Sequence, residues 1–551
     1  MAKLTPLAKG LITVTILSVT AAAAWQLGLK GLFSGDSSSE GTEASGSQGG
    51  GFFGGGAPSG PLGGDGNPLK VSIVSFHGYA PALVANGGLT TQSGSTFDEL
   101  GVNVEFVIQD DIPTLSTIYE SGTAHCAWRT SDFWAQEHPN LRNAGMDARA
   151  VMVVDNTQGA DAVIARDPAL QRVEDLAGRK VALLQFTPSH GMVIDAIDNS
   201  SLSARKKQSV KQVYINVDEG TAGVRAALEA GNVDAAALWD PDLSLALKNV
   251  PGAHVVYSTK TATNLIYDVI VCDAEVLDDP ANDAAIGKFV EGWMAGVTAA
   301  EASPDSAVTA LVENEEFFAL LAKDEGRDFV RGLFDNLVWT GLEDNARILG
   351  MAGGTNHYER VYKRFDVIYR AAGALANPNA PVIDPSESFE YKYIRSLLEK
   401  DAKAQSEATK PEFTFSEAER GERTQVDAVV TRPVTVNFAT GSAELTKRAE
   451  RTIDEEMVPM IENHGSAYFQ VTGNTDSTGS RSANLALSQR RADTVTNYLV
   501  AQWEFPRERF KVVGNGPDQP LCDESNPAAE GLSLEECRAA NRTTRLAVHS
   551  R

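Results

Sequence analysis

The sequence reads as an α/β protein in two folded regions, on three observations. Short apolar runs alternate with helical periods from Leu69 onward, the pattern of open α/β sheets. That pattern stops at a charged, proline-broken stretch, Asp401 to Gln425, and restarts near Ala428 as a smaller α+β unit in the order β-α-β-α-β-β. The length, 551 residues, exceeds what one hydrophobic core usually sustains. With 42% hydrophobic and 22% charged residues and a mean hydropathy of −0.19, the bulk of the chain is not a polytopic membrane protein. A net charge of −25, with no Lys/Arg stripe interleaved with aromatics, argues against nucleic acid as a partner.

The predicted organisation has five segments, 1–33, 34–67, 68–400, 401–427 and 428–551. Gly10 to Leu29 carries no charge and follows Lys3 and Lys9, so as a helix it can cross the ~30 Å hydrocarbon layer with the N-terminus in the cytoplasm. It is read as an inner-membrane anchor with a periplasmic bulk. Ala22-Ala23-Ala24 leaves cleavage as a signal peptide, and a soluble periplasmic product, as the alternative. Ser34 to Asn67 is Gly, Ser, Pro, Ala and acid-rich and reads as a flexible tether spanning about 30–35 Å on average.

Four cysteines are present. Cys522 and Cys537 lie in a loop-like stretch of an exported chain and are expected to form a disulfide. Cys126 and Cys272 sit in apolar strand-like runs and are expected as buried free thiols.

In the central region the runs VSIVSF, VNVEFVI, AHCAW, AVMVVDN and DAVIARD alternate with helices. Helical periods dominate after Asp278. The stretch VEDLAGRKVALLQFTPSH resembles an element of periplasmic solute-binding proteins of the sulfonate, taurine and nitrate type. ALEAGNVDAAALWDP, FHGYAPALVANGG and AAGALANPNAPVIDPSESFEYKYIRSLL are similar to three further elements of that family, in family order. The resemblance implies a two-lobed periplasmic-binding-protein fold of type II that closes on a small molecule, with an ABC permease as a potential partner.

Polar clusters at strand ends are where open α/β sheets place ligands. The candidates are Ser75, His77 and Tyr79 after the first strand, Arg129 and Thr130 after AHCAW, Gln185, Thr187 and Ser189 after VALL, Glu219, and Trp239 with Asp240. Thr187 before Pro188 reads as a helix cap whose free N–H groups suit an anion. Arg129 would add a positive charge, or could pair with Asp132 at the surface. Glu219 and Asp240 make a zwitterion as suitable as an anion.

The C-terminal region carries VNFATGSAEL, TGNTDSTGSRSANLALSQRRADTVTNYLV, FKVVGNGPDQP and RAANRTTRLAV, which together resemble the OmpA-like peptidoglycan-binding domain. That resemblance implies that Asp476 grips the ammonium and Arg491 the carboxylate of a diaminopimelate side chain, with a homodimer left open. A guanidinium fork suits a carboxylate because it donates two parallel hydrogen bonds. Asn484 lies two helical turns before Arg491 on the same face, Thr475 precedes Asp476, and Asn541 and Arg542 are placed at the rim. Asn474 replaces a frequent histidine, and Ala439-Thr440 a frequent acidic stretch. No G-x-S-x-G or H-E-x-x-H motif occurs and the eight histidines form no ligand-spaced pairs, so neither an enzyme, a metal nor a cofactor is expected.

Overall fold

The computed structural model describes residues 60–551 except 116, 120, 437 and 440. The proposed anchor, Gly10 to Leu29, and the tether up to residue 59 lie outside the described residues. Among the described residues no helix is long and apolar enough to cross a membrane.

Strands β1 (Leu69–Ile73), β2 (Val104–Ile108), β3 (Cys126–Thr130) and β4 (Ala148–Thr157) open a first lobe. The chain then crosses to β5 (Asp161–Ala165), β6 (Lys180–Leu184), β7 (Lys211–Ile215), β8 (Ala235–Trp239) and β9 (His254–Ser258), which form the second. It returns through β10 (Tyr267–Asp273) and β11 (Leu337–Trp339). The first sheet has the order β11-β4-β10-β3-β1-β2 and the second β7-β6-β8-β5-β9. The chain therefore passes between lobes twice, after β4 and after β9, as expected of a two-lobed binding fold. β4, β5 and β10 are buried along nearly their whole length, which is why they read as mainly apolar runs.

Two expectations about segment ends change. Residues 60–67, assigned to the tether, form a turn: Asn103 N–H donates to Gly63 O at 2.7 Å and the Asn103 amide to Asp65 at 2.9 Å. The 401–427 connector holds two short helices, Ala402–Ala408 and Glu417–Arg423. Ala404 and Ala408 pack with Ala346 and Leu398, small side chains that let the helix approach closely.

Cys126 and Cys272 are joined in a disulfide, contrary to the free thiols expected. They stand directly opposite each other on the antiparallel pair β3 and β10, a neighbourhood that 146 residues of sequence separation conceal. Cys522 and Cys537 are bonded as expected, with Cα atoms 5.3 Å apart.

The C-terminal sheet runs β12 (Val430–Val434), β15 (Thr544–His549), β13 (Tyr468–Asn474), β14 (Phe510–Gly516) in spatial order. β12 begins at Val430, ahead of the expected VTVNF run. Pro433 is accommodated because β12 is an edge strand, where a missing N–H costs no ladder bond. The expected helix from Leu445 to Asn463 divides at Met457 into Lys447–Glu456 and Val458–Asn463, with Pro459 opening the second. The long helix Arg481–Trp503 starts on Ser480, whose side chain accepts the Ala483 N–H. This helix lies tight on β13 and β14 because both offer a glycine there. A Cβ on Gly473 would fall 2.1 Å from the Ser488 carbonyl oxygen, and one on Gly514 2.4 Å from the Gln489 nitrogen.

The C-terminal domain is seated against both lobes. On the second lobe, Val173 N–H donates to Val429 O at 3.2 Å and the Tyr257 hydroxyl meets His464 Nε2 at 3.0 Å. At the crossover, Asn264 N–H donates to Asn463 O at 3.0 Å. From the helix His357–Ala372, which packs on the first lobe, Arg360 pairs with Glu462 at 3.4 Å.

Candidate functional site

A cavity open to solvent lies between the lobes. The C-terminal ends of the parallel strands reach it: Val74, Ser75 and Phe76 follow β1, Asp110 follows β2, Trp128 and Thr130 end β3, Thr187 and Pro188 follow β6, and Trp239 ends β8. Phe133 adds a ring from the helix Ser131–Asn143, Thr157, Asp161 and Asp268 come from the crossover strands, and Ile266 immediately precedes β10.

Of the eleven residues expected at this site, Ser75, Thr130, Thr187 and Trp239 line the cavity. Ser75 is clamped by Asp110, donating from its N–H at 2.8 Å and its hydroxyl at 2.9 Å. Thr187 is the N-terminal cap residue of the helix Pro188–Asp198, but its hydroxyl donates back to Leu184 O at 2.8 Å and does not cap. The preceding residue, Phe186, is left-handed at φ 59°, a conformation costing about 1–2 kcal/mol. Hydrogen bonds hold it there: the Gln136 amide of the first lobe donates to Phe186 O at 3.0 Å, and Phe186 N–H donates to His190 Nδ1 at 3.1 Å.

The other seven are not among the lining residues. His77 is fully buried between Phe76 and Phe334, and burial lowers its pKa to about 3, so it stays neutral. Tyr79 lies behind the wall, its hydroxyl donating to Asp268 at 3.1 Å. Arg129 is the largest correction. It is buried, paired with Glu137, and donates to Leu115 O at 2.9 Å, with Tyr119 beneath its guanidinium. Neither a ligand contact nor a surface pair with Asp132, it neutralises a carboxylate inside the first lobe. Gln185 and Glu219 are exposed. Ser189 is buried in the first turn of its helix. Asp240 sits at the hinge, accepting from Ser244 N–H at 3.0 Å and the Asn336 amide at 2.7 Å, with burial raising its pKa to about 6.

Asp161 and Asp268 escaped sequence reasoning. Each ends or opens an apolar crossover strand, and an acid set into such a run, as in LIYDVIV, was the available signal. Asp155 faces Asp268 across the ladder. Burial raises all three carboxyls, and each is pushed further by other carboxylates nearby.

In the C-terminal domain the expected residues converge. Arg491 rather than Arg490 turns inward; its Nε donates to Ser442 O at 3.0 Å and its guanidinium stacks over Phe438 at 4.9 Å. Burial and the neighbouring Arg490 lower its pKa from the usual guanidinium value, while Asp476 pulls the other way. Asn484, buried on the same helix, donates to Asp476 O at 3.3 Å and Thr478 O at 3.0 Å, fixing the loop that carries Asp476. Thr475 is buried at its base, its N–H bonded to Gly516 O at 2.9 Å. Asp476 pairs with Arg542 at 2.7 Å.

Asn541 lies beneath the rim, not on it. Its side-chain oxygen accepts from the Leu521 and Cys522 N–H groups, and its amide donates to Cys522 O and Glu524. The disulfide-closed loop is thereby fixed to the Asp476 loop, since Glu524 also accepts from Ser477 N–H at 3.1 Å and from its hydroxyl at 2.6 Å. Against the upward push of desolvation, these bonds and Arg538 draw the Glu524 carboxyl down to about 2.

Residues 89–307 match the model of the NMT1/THI5-like family, and residues 437–531 that of the OmpA family. The chain joins an NMT1/THI5-like domain to a C-terminal OmpA-family domain. Over 164 residues it is 29% identical to an Escherichia coli K12 protein named for binding aliphatic sulfonates, covering 30% of this chain and 45% of that one. Outer membrane protein P5 of Haemophilus influenzae is 35% identical over 115 residues, 21% of this chain and 32% of that protein. The peptidoglycan-associated lipoprotein of Pseudomonas putida is 32% identical over 95 residues, 17% of this chain and 55% of that protein. This chain thus spans less than half the length of the first two of these relatives.

Proposed function

We propose that the protein is a non-enzymatic, envelope-tethered binding protein that holds peptidoglycan through its OmpA-family domain and a small molecule in the cleft of its NMT1/THI5-like domain. The observation that carries the wall-binding half is the joint placement of Asp476 and Arg491 by one helix, through Asn484 to the Asp476 loop and directly to Arg491. A fixed carboxylate and a fixed guanidinium beside each other match an amino-acid head group bearing both charges, as in a diaminopimelate stem. The relative named as peptidoglycan-associated supports this reading.

The periplasm is the proposed compartment, with residues 10–29 holding the chain at the inner membrane and the two disulfides consistent with an oxidising space. The match to an NMT1/THI5-like family favours a second reading, delivery of the cleft's ligand to an ABC permease. Deleting the gene and measuring solute uptake separates the two, because only a delivery component produces an uptake defect. For the wall-binding role, the chain is sedimented with diaminopimelate-type peptidoglycan. The wild type pellets; Asp476→Ala and Arg491→Ala weaken binding by about tenfold or more, the loss of one charge-assisted contact each. Equal sedimentation of all three refutes the site.

A further inference from the structure

We propose that the interlobe cleft selects a small organic cation, an alkylammonium held by aromatic faces and carboxylates, and discriminates against anions. This rests on the reading of the cleft as the ligand site and adds the charge of its ligand.

The ionisable groups described around the cavity are all acids. Asp110, Asp161 and Asp268 line it, and no Lys, Arg or His is among the described lining residues. Asp161 and Asp268 are each only 4% exposed. Neither has a cationic partner among the described residues; Asp268 accepts only the Tyr79 hydroxyl. Directly across the ladder, Asp155 is 0% exposed, and neither of its carboxylate oxygens has a hydrogen-bond partner among the described residues. The buried guanidinium of Arg129, on the adjoining strand β3, is taken by Glu137. A cation entering this cavity would draw these carboxyls into their ionised form and offset the cost of burying that charge, whereas an anion would meet no cationic partner among the described lining residues.

The apolar part of the wall agrees. Phe76, Trp128, Phe133 and Trp239 present four rings to the same space. Aromatic faces attract ammonium groups, Trp most strongly. Two further groups are poised for a ligand's polar atoms. Thr130 and Thr157 line the cavity at 7% and 2% exposure, their hydroxyls beside the Asp132 and Asp161 carboxyls respectively, with oxygen lone pairs still free to accept. Each can accept an N–H from an amine or meet a hydroxyl of the ligand.

Isothermal titration of the full chain with choline, ethanolamine, taurine and ethanesulfonate separates the charges on one two-carbon skeleton. Choline or ethanolamine is expected to bind at least about tenfold more tightly than taurine, with no binding of ethanesulfonate. Asp268→Asn and Asp161→Asn each weaken the cation by about tenfold or more, and Trp239→Phe retains more binding than Trp239→Ala. The wild-type ranking decides the matter even if a variant fails to fold. Ethanesulfonate binding more tightly than the cations overturns the charge assignment and leaves the cleft as a ligand site. Binding of none of the four overturns both.

Discussion

The interlobe cleft and the OmpA-family site both use acids, yet they treat them in opposite ways. Around the cleft, Asp132, Asp155, Asp161 and Asp268 are buried without a cationic partner among the described residues, and burial raises their pKa values. In the OmpA-family domain, Asp476 is paired with Arg542, and Glu524 is held by Ser477, Asn541 and Arg538 until its pKa falls to about 2. What each site has left to do follows from this contrast. Saturated charges at the second build a rigid frame around the Asp476 loop, beside Arg491, which has no carboxylate ion pair among the described residues. At the first, unsatisfied carboxylates store a preference for whatever can complete them.

The two disulfides provide the largest test of how the regions are built. Replacing Cys126 and Cys272 together by Ser opens a 146-residue loop and should cost about 4–5 kcal/mol in denaturant unfolding, against about 3 kcal/mol for the 15-residue Cys522–Cys537 loop. Equal losses would show that loop length is not what separates them. Next, Glu137→Gln leaves the Arg129 guanidinium buried without its charge partner and should destabilise by about 3–5 kcal/mol. A marginal change in melting temperature would put Arg129 back into consideration as a free charge for the cleft.

Titration gives the sharpest contrast. Burial raises the Asp132 carboxyl to about 6 in the folded state, so folding favours its protonated form. The penalty is absent below about pH 4, grows as pH rises through 6 and is complete above it; relative to wild type, Asp132→Asn should gain up to about 3 kcal/mol between pH 4 and 7. Glu524 has the opposite sign. Its lowered value makes a contribution that is present above the ordinary glutamate pKa and lost as pH falls through about 2, so Glu524→Gln should lose its disadvantage on acidification. Chemical denaturation of each variant across pH 3–8 reads both; like-signed slopes would break the comparison. The smallest expected effect is Asn541→Ala, about 1–3 kcal/mol, because buried N–H and C=O groups of the disulfide loop lose their partners. Since Asn541 only positions that loop, peptidoglycan affinity should fall less than for Arg491→Ala.

How well each site could be read from sequence follows from the same contrast. Helical spacing puts Asn484 and Arg491 on one face, and the resemblance to the OmpA-like domain tied them to Thr475 and Asp476 on the loop just before that helix. Arg542, expected at the rim, reaches Asp476 from the turn that leads into β15, a distant segment that only the resemblance to the OmpA-like domain connected to this loop. The cleft draws its residues from segments between Val74 and Asp268, and strand ends located only part of it. Arg129 misled because alternation along β3 was not resolved: Trp128 and Thr130 face the cavity, and the residue between them points to the opposite side of the sheet, toward Glu137. Cys126 and Cys272 were misread for a related reason, since cross-strand register is set by the sheet and not by either strand. The same limit hid the seating of the C-terminal domain on both lobes, which depends on residues as distant as Asn264 and Asn463.

Two independent recognition sites, one for the wall and one for a small ligand, are what the chain is proposed to carry. Their independence is tested by sedimenting the wild type, Arg491→Ala and Asp268→Asn with diaminopimelate-type peptidoglycan. Wild type and Asp268→Asn are expected to pellet alike while Arg491→Ala stays in solution. Retention of Arg491→Ala in the pellet, or loss of Asp268→Asn from it, would contradict the two-site reading.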